Sequence, residues 1–465
     1  MTDVLGLLVL ITATCIAGAL ARRLEERVTA PLTMFVGWVV VFVVGDAIYT
    51  ILDGTFGPSP VNRSATPYGQ LGVAAALWGL AVMAVGFGYI TLPRIRWSQR
   101  KNADGQQGTG PSRGFRAFLL LSIVLGLVIS GVAIGAVVLA GRQMGLTLAR
   151  TIAVRNQWFA GGGGILFLLT QTLKIAVLVY IFYCFGTPAL SRARLILLVV
   201  LVSVIDLMTG SRSALLYGLV VPLLVIRDHL GRQLRLRTLV WAALAAVLLL
   251  SVAYRSIVRD QFFASNEGRS VLEIIQDNLR SLPSYFWGGY EVSAFDGTID
   301  IAVRVPKELE YQYGKTLVNG LTAPIPRALW PGKPLGGGNM VYTATFYPSY
   351  YQHLNTEYSL SIVGELYMNF GVAGVLAGSV LIGMFLRWLY GKANQGRGRN
   401  LWLLVYGVVM GRMLGLWRSD FFNFFGQTVG YLVLILALAS GLRAVIGVLQ
   451  ERRRPYVARQ GVSPA

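Results

Sequence analysis

The sequence predicts an all-α polytopic membrane protein with about 11 transmembrane helices and one large extracytoplasmic loop. Three observations carry this. Hydrophobic residues make up 55% of the 465 positions and charged residues only 13%. Mean hydropathy is +0.60, outside the range of soluble globular domains. Apolar runs close to the roughly 20 residues needed to cross the hydrocarbon recur along the chain.

The runs fall at 4–21, 31–52, 71–93, 117–141, 165–186, 193–208, 213–227, 236–257, 360–386, 401–417 and 428–449. The sixth and seventh are the shortest and are separated only by Thr209-Gly210-Ser211-Arg212, so two spans or a re-entrant hairpin both fit. These runs divide the chain into helices 1–8 over residues 1–257, a loop subdomain over 258–358, helices 9–11 over 359–449 and a basic tail over 450–465.

The formal charge of +20 could point to nucleic acid, so the placement of the basic residues decides. Lys and Arg crowd the loops at 22–30, 94–116, 187–194, 227–237 and 387–400 and the C-terminal tail. The short connections on the other side hold only Arg63, Arg142, Arg150, Arg155, Arg212 and Arg418. That asymmetry is the positive-inside pattern. It predicts an N-terminus outside, a C-terminus inside and the 258–358 loop outside. The basic excess then finds its partner in anionic lipid headgroups, and no nucleic acid is expected.

Arg22 and Arg23 follow the first apolar run instead of preceding it, which predicts a retained helix and not a cleaved leader. Cys15 and Cys184 both fall within apolar runs, so no disulfide framework is expected. The turn-rich 53–70 loop reads as an outer connection, and the Gly/Gln/Arg-rich 94–116 loop as an inner linker. Between the fourth and fifth runs, residues 142–159 place Met144, Leu148 and Ile152 near one helical face, the pattern of a helix lying in the interface, with Gly161–Gly164 as its hinge.

Ionisable groups inside spans are costly and usually face a cavity or a partner. Asp46, Asp206, Glu365 and Arg412 lie in the outer halves of their runs, and Lys174 lies near mid-depth. Their convergence would make a polar cavity opening outward; pairwise ion bonds between helices are the alternative.

The 258–358 loop carries ten acidic and eight basic residues and no cysteine. Ser270 and Glu273 have capping-box spacing, and Leu272, Ile275, Leu279 and Leu282 recur at helical intervals, so an amphipathic helix is expected to about Ser281. The aromatic stretch 284–295 suits either an interfacial belt or a sugar-stacking surface. Residues 324–334 read as a rigid, extended Pro-rich run that presents Arg327 and Lys333 beside Trp330.

Three stretches together resemble bacterial polysaccharide polymerases of the O-antigen polymerase (Wzy) type. They are Thr209-Gly210-Ser211-Arg212-Ser213-Ala214-Leu215; Ile325-Pro326-Arg327-Ala328-Leu329-Trp330-Pro331-Gly332-Lys333-Pro334; and Gly364-Glu365-Leu366-Tyr367-Met368-Asn369-Phe370-Gly371-Val372-Ala373-Gly374. The likeness covers roughly 195–430. It implies a GT-C-like glycosyltransferase that polymerises undecaprenyl-pyrophosphate-linked oligosaccharides on the outer face of the bacterial cytoplasmic membrane, with a chain-length regulator (co-polymerase) and a flippase as possible partners. An O-antigen ligase, a lipid-oligosaccharide flippase or a scaffold are the competing readings. The absence of an internal repeat and the one-sided charges weigh against a transporter.

Such a transfer needs cations on the leaving pyrophosphate and a base for the acceptor hydroxyl. The candidate cations are Arg212, Arg327 and Arg418, then Arg255, Arg259, Lys333 and Arg412, because guanidinium groups suit pyrophosphate. The candidate bases are His353, the one imidazole in the outer loop, with Glu357 four residues on and able to orient it within a helical turn, and Glu365. Asp206, Lys174 and Asp46 complete the cavity candidates. No outer cluster has metal-ligand spacing and the sequence has no phosphate-binding GxxxxGK[ST] loop, so neither a metal nor another cofactor is expected.

Overall fold

The structure is a computed structural model that describes residues 2–25, 27–57, 64–65, 69–92, 113–145, 151, 168–208, 215–231, 273, 276, 280, 287, 294–325, 329–354, 357–394 and 401–451. Helix α1 (Thr2–Leu24) is followed by α2 (Pro31–Val39), a π-helical turn at Val40–Val44 and α3 (Gly45–Asp53), which together make one span. A two-residue antiparallel pair, Thr55–Phe56 with Ser64–Ala65, leads to α4 (Gln70–Thr91) and α5 (Arg113–Gln143). Next come α6 (Thr172–Cys184), α7 (Arg192–Met208), a second π turn at Leu216–Val220 and α8 (Val221–Leu230). The loop region contributes α9 (Ala294–Arg304), α10 (Lys315–Thr322), α11 (Gly338–Phe346) and α12 (Pro348–Leu354). The chain closes with α13 (Ile362–Asn394), α14 (Leu401–Arg418) and α15 (Phe421–Glu451).

Among the described residues, 7 helices are long and apolar enough to cross a membrane, and they coincide with seven of the sequence's apolar runs. The runs at 165–186 and 193–208 are shorter helices, the run at 213–227 folds as the second π turn with α8, and the run at 236–257 lies outside the described residues. Most of the expected interface helix at 142–159, its glycine hinge, most of the 94–116 linker and the 209–214 turn lie outside as well. Of the expected amphipathic helix near 270–281 the described residues are Glu273, Gln276 and Arg280, all helical.

Helices in lipid gain little from burying apolar surface against one another, so they associate where small residues let backbones approach. The α1, α4 and α13 trio follows that rule. A Cβ at Gly88 of α4 would overlap the Val380 carbonyl of α13, and one at Gly383 of α13 would overlap the Val85 carbonyl of α4. Gly6 of α1 and Gly72 of α4 meet in the same way. At the opposite end from α9, Glu25 accepts the backbone N–H groups of Leu32 and Thr33, Thr29 donates to Asp228 at 2.6 Å, and Tyr406 donates to the Thr29 carbonyl.

The loop region does not simply hang outside the bundle. Ala294–Ile301 of α9 are all buried, against α4, α13 and the first π turn. Trp78 donates to Thr298 at 3.1 Å, Thr298 meets Ser361 at 3.1 Å, and Asp296 accepts from Thr50 and the Gly57 N–H. The Trp287 indole donates to the Val41 carbonyl in the π turn, and Gly45 leaves the room that the ring needs.

In its described residues the Pro-rich run is not extended. Residues 323–325 and 329–334 fold as turns around Lys333, whose ammonium donates to the carbonyls of Thr322, Ala323 and Ile325 at 3.3, 3.0 and 2.7 Å. Backbone carbonyls left without partners by the turns attract the nearest cation, so Lys333 points into its own loop instead of presenting its charge outward.

Candidate functional site

Glu365 lies in the first turn of α13, fully buried. Ser361 starts that turn: its Oγ accepts the Gly364 N–H at 3.0 Å, and its φ of 72° puts a non-glycine residue in the left-handed region. Backbone there is strained and persists only where surrounding contacts impose it. Thr316 of α10 donates to Glu365 Oε1 at 2.8 Å, and the Phe421 N–H at the start of α15 donates to Oε2 at 2.7 Å.

One turn along α13, Asn369 donates to Thr316 Oγ1 at 2.7 Å and to the Glu365 carbonyl at 2.8 Å, and accepts the Gly314 N–H at 2.9 Å. The helix then breaks at Phe370 and Gly371, whose dihedrals are not helical. A break frees carbonyls that lipid cannot satisfy, so it is tolerated only against protein. Here Gln312 N–H takes the Met368 carbonyl and Tyr313 N–H the Asn369 carbonyl, both at 3.0 Å. Tyr313, with φ 46°, is the other non-glycine residue with positive φ among the described residues.

Asp420, fully buried between α14 and α15, caps α15. Its Oδ1 accepts the Asn423 backbone N–H at 3.0 Å and the Asn423 side-chain amide at 2.8 Å. Its Oδ2 accepts the Asn339 N–H of α11 at 3.0 Å. Asn339 in turn donates to Ser419 and accepts the Leu360 N–H. Two carboxyl groups, Glu365 and Asp420, therefore meet the exposed amides at the N-terminus of α15, where the helix dipole favours negative charge. Burial still pushes the Asp420 carboxyl above the usual carboxylate range, against the lowering effect of its amide donors.

Glu357 stands at the water-accessible edge of this cluster. The residue as a whole is exposed, while its carboxyl is crowded by protein. The desolvation that follows, then the charge of Asp420, push it up to about 8, while a hydrogen bond from Asn423 works the other way. Arg418 ends α14 two residues before Asp420. Among the described residues no three His, Cys, Asp or Glu gather to hold a metal ion.

A second polar cluster lies among the helices. Lys174 of α6 pairs with Asp206 of α7 at 2.8 Å, both side chains 1% exposed. The Lys174 ammonium also donates to Gln171 at 2.6 Å, and Tyr431 of α15 donates to the same Gln171 oxygen at 2.8 Å. Arg412 of α14 stacks on the Tyr431 ring at 4.1 Å and donates to Gln427 at 2.6 Å. Its Nε and Nη2 are buried and without a hydrogen-bond partner among the described residues. The π turn brings Gly218 against this group: a Cβ there would lie 3.0 Å from Lys174 Cδ and 3.0 Å from the Tyr431 hydroxyl. Two cations face one carboxylate.

The expected single cavity is thus two clusters. Glu365 and Glu357 belong to the one at the head of α15, with Arg418 following α14 toward it. Lys174, Asp206 and Arg412 form the other. Asp46 belongs to neither: it is buried in the first turn of α3, beside α9. Helix α12 is described as far as Leu354 and the backbone is non-helical at Glu357, while residues 355–356, which would link Glu357 to the turn of His353, lie outside the described residues. The His353 side chain and Arg212, Arg255, Arg259 and Arg327 lie outside the described residues.

Sequence reading missed Asp420, Asn423, Asn339 and Thr316. Asp420 did carry a signal, since Ser419-Asp420 precedes an apolar run with Asn423 three residues on, the spacing of a helix cap. Asn369 had one too, four residues after Glu365 and so on the same helical face. Thr316 and Asn339 had none, because neither is near its partner in the chain.

Both clusters fall inside the stretch matched by a known family: the family model for the O-antigen polysaccharide polymerase Wzy matches residues 165–445, more than half of the chain. No curated protein and no solved structure matches.

Proposed function

Because the chain belongs to the O-antigen polysaccharide polymerase (Wzy) family, a family of multi-pass membrane enzymes that act on lipid-linked oligosaccharide repeat units, we propose that it joins undecaprenyl-pyrophosphate-linked repeat units on the Lys/Arg-poor face of the bacterial cytoplasmic membrane. In each step the anomeric C–O bond to the donor's pyrophosphate breaks and its electron pair stays on the leaving pyrophosphate. The acceptor sugar's hydroxyl oxygen forms the new glycosidic bond and its proton passes to a protein carboxylate.

The observation that carries this reading is Glu357, an exposed residue whose carboxyl is pushed up to about 8, beside Asp420 and Asn423 at the head of α15, with Arg418 at the C-terminal end of α14. A carboxyl group with pKa near working pH is suited to take a hydroxyl proton. Arg418, with Arg212 and Arg327 from the two other family-like stretches, would hold the pyrophosphate, since fixed guanidinium groups stabilise charge that grows on a leaving group. Glu365 then serves mainly to fix α10, α13 and α15 in register. The bond energy of the pyrophosphate linkage supplies the driving force, with no metal or nucleotide.

The test is reconstitution of the purified protein in vesicles with lipid-linked repeat units in a chelator-containing, nucleotide-free buffer. A ladder of products is expected. One transfer to a different acceptor would make it a ligase, and movement of the lipid without a new glycosidic bond would make it a flippase.

A further inference from the structure

A cleft of about 240 Å³ opens between the ends of α5, α6 and α7, lined by Arg116, Ala117, Leu120, Tyr180, Ala189 and Arg194. These ends join the Lys/Arg-rich connections, on the face opposite the one proposed for catalysis. α5 and α7 touch each other at few positions, although both pack on α6. We infer that this cleft is a binding site for an anionic phospholipid, whose phosphate would sit between Arg116 and Arg194 with its acyl chains running down past Ala117 and Leu120.

Among the described residues the lining contains two guanidinium groups and no acidic side chain. Arg194 donates through Nη1 to the Ala189 carbonyl at 2.9 Å, and Tyr180 donates to the same oxygen at 3.1 Å. That arrangement holds the Arg194 side chain at the rim and leaves most of its five N–H donors for a ligand. Arg116 is half-buried and makes no ion pair with the described residues. Leu120, half exposed at 50%, continues the apolar wall toward the membrane interior. A basic pocket between helices, with apolar walls below it, matches a lipid phosphate above acyl chains. A zwitterionic lipid fits less well, because its ammonium group would have to share the space between two guanidinium groups. The occupant would bridge α5 to α7, the helix that carries Asp206 to Lys174. The inference needs no part of the polymerase reading.

The test is native mass spectrometry of the detergent-purified full chain titrated with phosphatidylglycerol, phosphatidylcholine or soluble glycerophosphate. Phosphatidylglycerol should bind at least about tenfold tighter than phosphatidylcholine. The Arg116→Gln/Arg194→Gln pair should lose about 30-fold, the value expected for two surface basic residues facing anionic lipid. Arg142→Gln, at the other end of α5, should change nothing. Equal binding of the two lipids, or undiminished phosphatidylglycerol binding by the glutamine pair, overturns the site, and full competition by glycerophosphate overturns its assignment to a lipid. If the glutamine pair does not fold, photocrosslinking of a diazirine-bearing phosphatidylglycerol to the wild-type chain decides. Labels within 114–120 or 189–195 support the site, and labels confined elsewhere overturn it.

Discussion

Lys174 and Asp206 are ion-paired at 2.8 Å in a setting where each side chain is 1% exposed, and the Arg412 guanidinium adds a second positive charge to the same group of helices. The pair joins α6 to α7, and Tyr431 and Gln171 extend it to α15. Removing one partner of a buried pair leaves an uncompensated charge, which is worse than removing both.

Asp206→Asn is therefore expected to destabilise the protein by about 3–5 kcal/mol, and Lys174→Met/Asp206→Leu by clearly less. Thermal unfolding in detergent compares the two. Equal losses would mean that the two side chains do not act as a pair.

Glu365→Gln should lower stability by about 1–3 kcal/mol. Its carboxylate accepts from Thr316 on one oxygen and from the Phe421 N–H on the other. A glutamine offers an NH₂ to one of those two donors, leaving a buried N–H or O–H unpaired. Chemical denaturation of the variant measures the loss, and a wild-type midpoint would show that neither contact matters.

Glu357 is held up to about 8, against an ordinary 4.5. The folded chain thus binds this proton more tightly than the unfolded one, and the group's contribution favours folding less as pH rises between those two values. As the base it must be ionised, so turnover should rise with pH through about 8. Glu357→Gln should be nearly inactive and remove that rise. A pH profile of the reconstituted enzyme that is the same in both proteins would exclude Glu357 as the base.

Arg418→Ala and Arg212→Ala are expected to abolish long-chain polysaccharide while expression and membrane insertion stay normal. Gel analysis of cell-surface glycan reads the outcome, and normal chain lengths in both variants would remove the pyrophosphate role from these arginines.

Gly383→Val should disrupt the α4 and α13 contact, since even a Cβ overlaps the Val85 carbonyl, a backbone atom that cannot rotate away. Overpacking of this kind costs about 1–3 kcal/mol or more. Gly131→Val of α5, where nothing lies within 4 Å, is the matched control. Equal melting temperatures would contradict the close approach.

The sequence alone determined that the chain crosses a membrane repeatedly and where the long spans α1, α4, α5, α13 and α14 lie, because an apolar run in lipid satisfies its backbone within itself and needs no partner to be legible. It also singled out Glu365, Lys174, Asp206 and Arg412, because a charge within an apolar run stands out wherever the helix ends up. Only the tertiary structure decided how those charges divide into two clusters, that Lys333 turns into its own loop, and that α9 is buried. Glu365 finds Thr316 and Phe421 at separations of 49 and 56 residues, and Asp420 finds Asn339 at 81. Helical periodicity shows which face of a helix a residue occupies. It carries no information about which distant amide or hydroxyl will be packed against that face, and in this protein that choice makes the site.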